Sequence, residues 1–324
     1  MAGTITHCFF AKDVMKHFDA EKGFLFDNDY LGVFAQNMDP FNFYSIYFPI
    51  LKGSVKKRNF AEYFHNNKVD IFFETLLKYV KDNRLYTDVQ VSSFVYGMIT
   101  HYVLDSSIHP YVEYKCGSLK KNDKSTYKYN AKHHEMETYL DIYMLGKKGF
   151  NYKKYKSYDE IFKINNFNDN LTNVLNHCFE KVYGINNFSK IYLKSIKDMK
   201  ISFRLFRYDP FGIKKHMYYI FDFFTPKYIL NSKFLSYSYL PKDCKYFLNN
   251  EKNVWYYPYD GNIKYNYSFD EIYNNSIKKC IELFECVHDY FYNDKKIYFK
   301  KFFNLSYCTG IYWDKKLEAP IYYY

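Results

Sequence analysis

The sequence predicts an all-α protein that forms one domain over residues 1–324. Apolar residues recur three and four positions apart along seven segments, which is the period of a helix with a buried face. The alternation typical of strands is weak, although residues 256–267 could hold a short hairpin around Asp260-Gly261. Neither an internal repeat nor a long Gly/Ser/Pro-rich linker divides the chain.

The clearest of these segments is residues 87–114, where Thr87 or Asp88 can cap the start of a long core helix. Its apolar residues at helical spacing are Val91, Phe94, Val95, Met98, Ile99 and Tyr102. The other predicted helices cover residues 4–17, 59–80, 131–145, 168–183, 189–206 and 268–292. The least regular stretches are a basic loop over residues 115–130 and residues 228–267.

Composition indicates a folded chain, because 48% of the 324 residues are hydrophobic. The longest mainly apolar stretch, residues 94–104, is much shorter than the roughly 20 residues that cross a bilayer. The first residues lack a basic region followed by a long apolar one, as a secretory signal would have. The sequence therefore predicts a cytoplasmic protein without a transmembrane segment.

Charge and cysteine content restrict the partners and the kind of site. The net charge of +11 favours anionic partners such as nucleic acid, a phospholipid surface or a phosphorylated substrate. The seven cysteines are scattered and form no C-x-x-C pair, so we expect reduced thiols and neither a disulfide framework nor a thiolate zinc site.

Two helical segments carry metal-ligating residue types at every fourth position. His101, Asp105 and His109 share one face of the core helix, and His133 and Glu137, followed by Asp141, repeat the rhythm on the next. Composition alone gives roughly 0.03 occurrences of His-x3-acid-x3-His in such a chain. The alternative, a pair of solvated ion-pair stripes, suits histidine poorly. Facing helices would bring these imidazoles and carboxylates together, and Zn²⁺ favours that mixture.

Three shorter motifs precede these helices. They are Thr6-His-Cys-Phe-Phe-Ala11, Asn37-Met-Asp-Pro-Phe41 and Glu62-Tyr-Phe-His-Asn66. Together with the two helical motifs they give residues 1–145 a resemblance to the zinc-dependent phospholipase C family. The resemblance implies an all-helical fold with a metal cluster between its helices, which is shared with the single-strand-specific zinc nucleases. We expect residues 1–145 to be the metal-binding core and residues 150–324 to be a helical C-terminal part of the same domain.

The resemblance implies two to three zinc ions. One would be held by Asp39, His65, His101 and Asp105, a second by His109, His133 and Glu137, and a third by His7 with a shared Asp105. In secreted relatives the N-terminal residue of the mature chain completes the third site. Asp39 is also a candidate general base, because a carboxylate beside an attacking water can orient it or take its proton.

Other polar residues near these motifs have alternative interpretations. Asp141 either accepts a ligand histidine N–H or lies on the helix surface. His134 points about 100° away from its neighbour His133, so it is expected to flank the site. The remaining histidines, His17, His177, His216 and His288, lack ligand-spaced partners.

The predicted activity is zinc-dependent phosphodiester hydrolysis of the phospholipase C type. Zinc lowers the pKa of bound water toward about 7, and the substrate would be a phospholipid or a soluble phosphodiester. One alternative is a zinc nuclease for single strands, which the basic charge favours. Another is a non-catalytic binding protein in which closed metal sites stabilise the fold.

Overall fold

A computed structural model describes residues 3–18, 23–45, 56–57, 59–118, 123–224, 235–238 and 244–315. The fold is all-α, as predicted, with one small two-stranded sheet among the described residues. The helices are α1 Thr4–Met15, α2 Asn28–Phe34, α3 Phe60–Asn66, α4 Val69–Asp82, α5 Val89–Cys116, α6 Tyr127–Lys147, α7 Ser157–Glu160, α8 Asp169–Tyr183, α9 Phe188–Phe206, α10 Ile213–Phe224, α11 Phe269–Tyr292 and α12 Phe299–Phe302. The strands are β1 Trp255–Tyr257 and β2 Asp260–Tyr265.

Helix α5 lies at the centre of the described helices. It begins at the N-cap Asp88, whose side chain accepts hydrogen bonds from the backbone N–H groups of Gln90 and Val91. Almost every residue from Gln90 to Val112 is buried, because α1, α2, α6 and α11 pack around it. A helix enclosed on all sides can direct polar side chains only into the interior. The polar residues of α5 therefore face other protein groups and not bulk water.

Helices α2 and α5 cross in close contact at Gly97. A Cβ atom on Gly97 would lie 2.7 Å from the Phe34 Cβ and 2.9 Å from the Phe34 carbonyl carbon. We expect Gly97→Ala to lower the free energy of unfolding by about 1–3 kcal/mol, because the helices must separate. Urea denaturation monitored by circular dichroism measures this change.

The matched control for that substitution is Gly146→Ala in α6. In the described part of the chain, no atom lies within 4 Å of the Cβ position of Gly146, apart from its chain neighbours and the backbone of its own helix. This substitution should raise stability by up to about 1 kcal/mol through helix propensity alone. Equal effects at the two glycines would show that the contact at Gly97 carries no strain.

The predicted helix over residues 59–80 is wrong as one element. The structure divides it into α3 and α4 at Asn67-Lys68, and Lys68 takes a left-handed conformation with φ 58°. The break lets α4 change direction while α3 presents His65 to the interior, where that side chain is buried. The break involves only two residues, and apolar residues keep their helical spacing on both sides of it. The sequence pattern therefore continues across the break and predicts a single helix.

Several other element boundaries also differ from the sequence prediction. The predicted loop over residues 115–130 is shorter, because α5 continues to Cys116 and α6 begins at Tyr127. The predicted hairpin is confirmed, but Tyr257 pairs with Asp260, so the turn lies at Pro258-Tyr259. Four described helices, α2, α7, α10 and α12, were not predicted. Part of the irregular stretch 228–267 lies outside the described residues.

Aromatic side chains hold α3 against α8 and α9. Phe64 contacts Phe179 with ring centroids 5.9 Å apart, and Phe179 stacks on Phe188 at 3.5 Å. Such ring pairs bury large apolar areas and restrict the orientation of the helices that carry them. The helix that carries His65 is therefore fixed by Phe64 of the same motif and by rings of α8 and α9. None of the described helices has the length and apolar character needed to span a membrane.

Candidate metal centre

Five polar side chains meet in the interior beside α5. His7 comes from α1, Asp39 from a 3₁₀ turn over Asp39–Phe43, His65 from α3, and His101 and Asp105 from α5. All five are at most 5% exposed to solvent. Burial of ionisable groups is costly unless they are paired or bind a metal. The sequence predicted all five as ligands, and the structure brings them together.

The five side chains form two overlapping groups. Within each group, one ligand atom from each residue lies within 4.8 Å of the others. One group is His7, His101 and Asp105, and the other is Asp39, His65 and His101. The Asp105 Oδ1 atom lies 3.1 Å from His7 Nε2, and its Oδ2 atom lies 3.0 Å from His101 Nε2. Each oxygen of this carboxylate therefore faces a different histidine, which is the arrangement a bridging carboxylate needs.

The spacing around Asp39 leaves room for an ion. Its two oxygens lie 4.0 Å from His65 Nε2 and 4.0 Å from His101 Nε2. These separations are too long for hydrogen bonds. Ligand atoms that each lie roughly 2.0–2.2 Å from a shared tetrahedral zinc ion are about 3.3–3.6 Å apart. The observed distances are slightly longer, so an ion fits between these atoms after a small inward movement.

Apart from the ion-pair contacts of His7 and His101 with Asp105, at 3.1 and 3.0 Å, these residues make few polar contacts. Among the described residues, no hydrogen-bond partner is found for both ring nitrogens of His7, Asp39 Oδ1, His65 Nε2, His101 Nε2 and both oxygens of Asp105. Buried polar atoms in folded proteins are nearly always satisfied, and clustered exceptions call for an explanation. Because all of these atoms are of the types that bind zinc, the residues fit a zinc site.

Two histidines are oriented by backbone carbonyl groups. His101 Nδ1 lies 2.8 Å from the Ala35 carbonyl oxygen, and His109 Nδ1 lies 2.6 Å from the Tyr307 carbonyl oxygen. A carbonyl accepts only, so each Nδ1 carries the proton and donates it. The lone pair is then on Nε2, which is the usual state of a metal-ligating histidine. This supports both residues as ligands through Nε2.

Burial and neighbouring charges set the protonation states of the site. Burial lowers the pKa of His7 to about 4 and that of His109 to about 3, so both rings are neutral at pH 7. Burial alone would raise the pKa of Asp105, but His101, His109 and His7 lower it well below its usual range. Burial lowers the pKa of His101, but Asp105 and Asp39 raise it above its usual value, and burial raises the pKa of Asp39 to about 7. His7 and His109 are therefore in the neutral form that binds metals, and Asp105 is in the ionised form.

The second predicted set, His109, His133 and Glu137, is arranged differently. His133 Nε2 lies 2.9 Å from Glu137 Oε1, and His134 Nδ1 lies 3.3 Å from Glu137 Oε2. The rings of His109 and His133 are 5.9 Å apart. Within the described part of the chain, these residues are not among the groups with ligand atoms all within 4.8 Å. They are neighbours on facing helices, and their role as ligands stays a prediction.

Asp141 has neither of the roles considered from its sequence position. It is 2% exposed, and it accepts hydrogen bonds from Ile5 N at 3.1 Å, Thr6 N at 2.8 Å and Thr6 Oγ1 at 2.7 Å. Tyr237 donates a fourth from its hydroxyl at 3.1 Å. Asp141 therefore caps the first turn of α1, immediately before His7. Burial raises the pKa of Asp141 to about 6, so it is a carboxylate at neutral pH.

We expect Asp141→Ala to lower the free energy of unfolding by about 2–4 kcal/mol, because it leaves buried donors of α1 without an acceptor. The first turn of α1 should also loosen, which reduces the zinc affinity of the His7 site. Thermal denaturation with and without zinc measures both effects. Asp13→Ala is a control, because Asp13 lies in the same helix but outside the site. Its carboxylate pairs with the Lys148 ammonium group at a distance of 2.7 Å. A loss of stability no larger at Asp141 than at Asp13 would argue against the cap.

A C-terminal strap over residues 303–313 closes one side of the site and was not predicted. Tyr307 is fully buried in it, and its ring stacks on His65 with centroids 4.7 Å apart. The Tyr307 N–H donates to the His65 carbonyl at 3.0 Å, and the Asn37 side chain donates to its hydroxyl at 3.3 Å. Tyr307 thus contacts the turns and helices that carry three of the predicted ligands. No motif of the sequence indicated this, because the strap contacts the ligands through its backbone and one ring.

Comparison with known proteins gives one match. A family model described as zinc dependent phospholipase C matches residues 6–186. The matched region contains each of the residues that the sequence predicted as a ligand, and it ends well before the C-terminal strap. No curated protein and no solved structure matches the chain.

Proposed function

This chain belongs to the zinc-dependent phospholipase C family, and we propose that it hydrolyses a phosphodiester bond with zinc bound beside α5. The family is one of zinc-dependent phospholipase C hydrolases. The observation that carries the proposal is the set of buried nitrogen and oxygen atoms of His7, Asp39, His65, His101 and Asp105 for which no partner is found among the described residues.

The geometry supports a division of these residues between two ions. Asp39, His65 and His101 would hold one ion, with one oxygen of Asp105 beside His101. His7 and the second oxygen of Asp105 would hold another ion. A site from His109, His133 and Glu137 would bring the number to three. A mixture of imidazole and carboxylate ligands suits zinc better than magnesium or calcium, which favour oxygen ligands alone.

Zinc bound there would supply an acidified water and a positive charge for the phosphoryl oxygens. The chain itself would supply three further functions. The carbonyl groups of Ala35 and Tyr307 hold the ligand imidazoles in one tautomer. The Asp39 carboxylate, with one oxygen for which no partner is found among the described residues, would orient the attacking water or accept its proton. The packed aromatic side chains around α3 would keep the ligands in place between turnovers.

We propose a phospholipid or a soluble phosphodiester of similar headgroup as the substrate, because the family is a phospholipase C family. The net charge of +11 also suits nucleic acid, so single-stranded DNA belongs in the same test. Binding to nucleic acid through several phosphates weakens steeply between about 50 and 200 mM salt. Turnover of a zwitterionic phosphocholine headgroup should depend much less on salt.

The test is a hydrolysis assay with purified protein on p-nitrophenyl phosphorylcholine, phosphatidylcholine vesicles and single-stranded DNA. Each substrate is assayed before chelation, after chelation and after zinc is restored. The proposal predicts hydrolysis of the choline substrates that is lost with chelator and regained with zinc. Cleavage of DNA alone would identify a nuclease. Zinc binding without hydrolysis of any substrate would favour a non-catalytic protein held together by metal.

A further inference from the structure

Helix α10, outside the matched region, presents an apolar face to solvent. Ile213, Met217 and Ile220 are 67%, 61% and 62% exposed, and they lie four and three residues apart, on one side of the helix. Phe211, in the turn before the helix, is 85% exposed. We call these four side chains the α10 face. A cluster of large apolar side chains at the surface marks an interaction site more often than a single one does.

The other side of α10 is anchored to the body of the protein. Tyr218 is buried, and its hydroxyl donates to the Leu205 carbonyl oxygen at 2.8 Å. Asp209 accepts from the Lys214 N–H at 2.6 Å at the start of the helix, and Lys214 Nζ also donates to the Leu205 carbonyl oxygen. The α10 face is therefore held outward by contacts on the opposite side. Leu205 and Ile201 of α9 are about half exposed themselves and lie on the helix to which α10 is anchored.

Basic side chains lie at the end of α9, to which α10 is anchored, and in a loop that approaches that end. Arg204 and Arg207 are exposed at the end of α9, and Lys153 and Lys154 are exposed in the loop before α7. The Lys153 Nζ atom lies 5.4 Å from the ring centre of Tyr208, next to Arg207, so this loop approaches the end of α9. An amphipathic helix with large apolar side chains and basic neighbours is typical of a segment that lies in the interface of an anionic membrane.

Helix α9 connects this surface to the candidate metal centre. Phe203 lies between Ile201 and Leu205 in the sequence, and its ring is 5.7 Å from Phe43 in the turn that begins with Asp39. The same helix therefore supports the Asp39 turn with one side and carries exposed apolar and basic residues on another. A membrane bound at the α10 face would be attached through a rigid element that packs against the site.

We propose that the α10 face inserts into the interface of an anionic phospholipid membrane, with Arg204, Arg207, Lys153 and Lys154 contacting the lipid headgroups. Burial of the exposed side chains supplies the apolar contribution, and the basic residues supply attraction to negative lipid. The proposal rests on the proposed function only in taking phospholipid as the substrate that this surface brings to the enzyme. Membrane binding itself requires neither zinc nor turnover.

The test is flotation of the full chain with vesicles of phosphatidylcholine alone and with vesicles that also contain phosphatidylglycerol. We expect binding to the anionic vesicles that decreases as salt is added. The double variant Met217→Glu and Ile220→Glu should lower the partition coefficient at least about tenfold, because each side chain loses its transfer into the lipid. Val254→Glu with Ile263→Glu, two exposed positions at the hairpin, is the matched control and should bind as the wild type does.

Hydrolysis of p-nitrophenyl phosphorylcholine separates this proposal from the proposed function. Both double variants should retain wild-type activity on that soluble substrate, which also shows that they are folded. Equal flotation of wild type and of the α10 variant would overturn the proposal, as would a wild type that binds neither kind of vesicle. A dimer in light scattering that the α10 variant dissociates would assign the face to a second copy instead. Flotation of a wild type that hydrolyses no substrate would contradict the proposed enzymatic activity and still support membrane binding by the α10 face.

Discussion

Asp105→Asn is expected to lower zinc affinity and phosphodiester hydrolysis by at least about a hundredfold. The two oxygens of Asp105 face two different buried histidines, His7 and His101, at 3.1 and 3.0 Å. An amide keeps the shape of the side chain but supplies only one neutral oxygen and no charge. Since loss of a partner outside the ligand set already costs about 10–100-fold, loss of a bridging ligand should cost more.

The measurements for Asp105→Asn are zinc content by elemental analysis and the rise in melting temperature on addition of zinc. A ligand stabilises the folded state in proportion to its binding, so the wild type should gain stability and the variant should gain little. Asp13→Asn is the control, because Asp13 is a partly buried carboxylate whose pair with Lys148, at 2.7 Å, lies outside the site. A zinc response in Asp105→Asn equal to that of Asp13→Asn would remove Asp105 from the ligand set.

Tyr307→Ala is expected to destabilise the protein by about 3–5 kcal/mol and to weaken zinc binding about 10–100-fold. The first effect follows from the cavity left by a fully buried ring. The second follows because that ring stacks on His65 and holds in place the backbone whose carbonyl orients His109. Tyr307→Phe keeps the ring and the carbonyl and loses only the contact with Asn37, so it should cost at most about 1–3 kcal/mol and leave zinc affinity near wild type.

Chelator competition on folded protein distinguishes a positioning role for Tyr307 from a purely structural one. Tyr273→Ala is the control, since Tyr273 is buried and donates to Asp13 at 2.9 Å, away from the site. It should lose stability as Tyr307→Ala does but keep its zinc affinity. If both variants bind zinc as tightly as the wild type, the strap stabilises the fold without positioning the ligands.

The sequence predicted five residues that the structure brings together beside α5, and their roles as ligands stay a prediction. His101 and Asp105 could be found because helical spacing places them on one face, and α5 keeps that spacing along its whole length. His7, Asp39 and His65 have no mutual spacing that implies contact. Their inclusion depended on the resemblance to a family, and the structure then brought them within reach of α5.

Residues that act through the backbone or from a distance in sequence were not predictable in this way. Asp141 continues the four-residue rhythm of His133 and Glu137, but its partners are backbone N–H groups of α1 that lie 135 and 136 positions away. Tyr307 orients His109 with a carbonyl group that every residue possesses, 198 positions away. Such contacts depend on tertiary packing, which periodicity along one helix does not encode.

The break between α3 and α4 and the short helix α2 were missed for a local reason. The left-handed residue Lys68 is neither glycine nor asparagine, and the turn signal of Asn66 and Asn67 before it does not interrupt the apolar periodicity. Helix α2 has only seven residues, and its recognisable feature is the cap in which Asp27 accepts from Asp29 N at 2.8 Å and Tyr30 N at 3.0 Å. Two turns of helix are too few to establish a period.

The most direct test of the account is the zinc content of the full chain by elemental analysis, after purification without a histidine tag or added metal. The proposal of two ions that share Asp105, with a further ion at His109, His133 and Glu137, predicts two to three zinc ions per chain. The contradicting result is one zinc ion or none per folded chain, with a zinc content that does not rise when zinc is supplied. It would rule out the zinc-dependent hydrolytic site proposed beside α5.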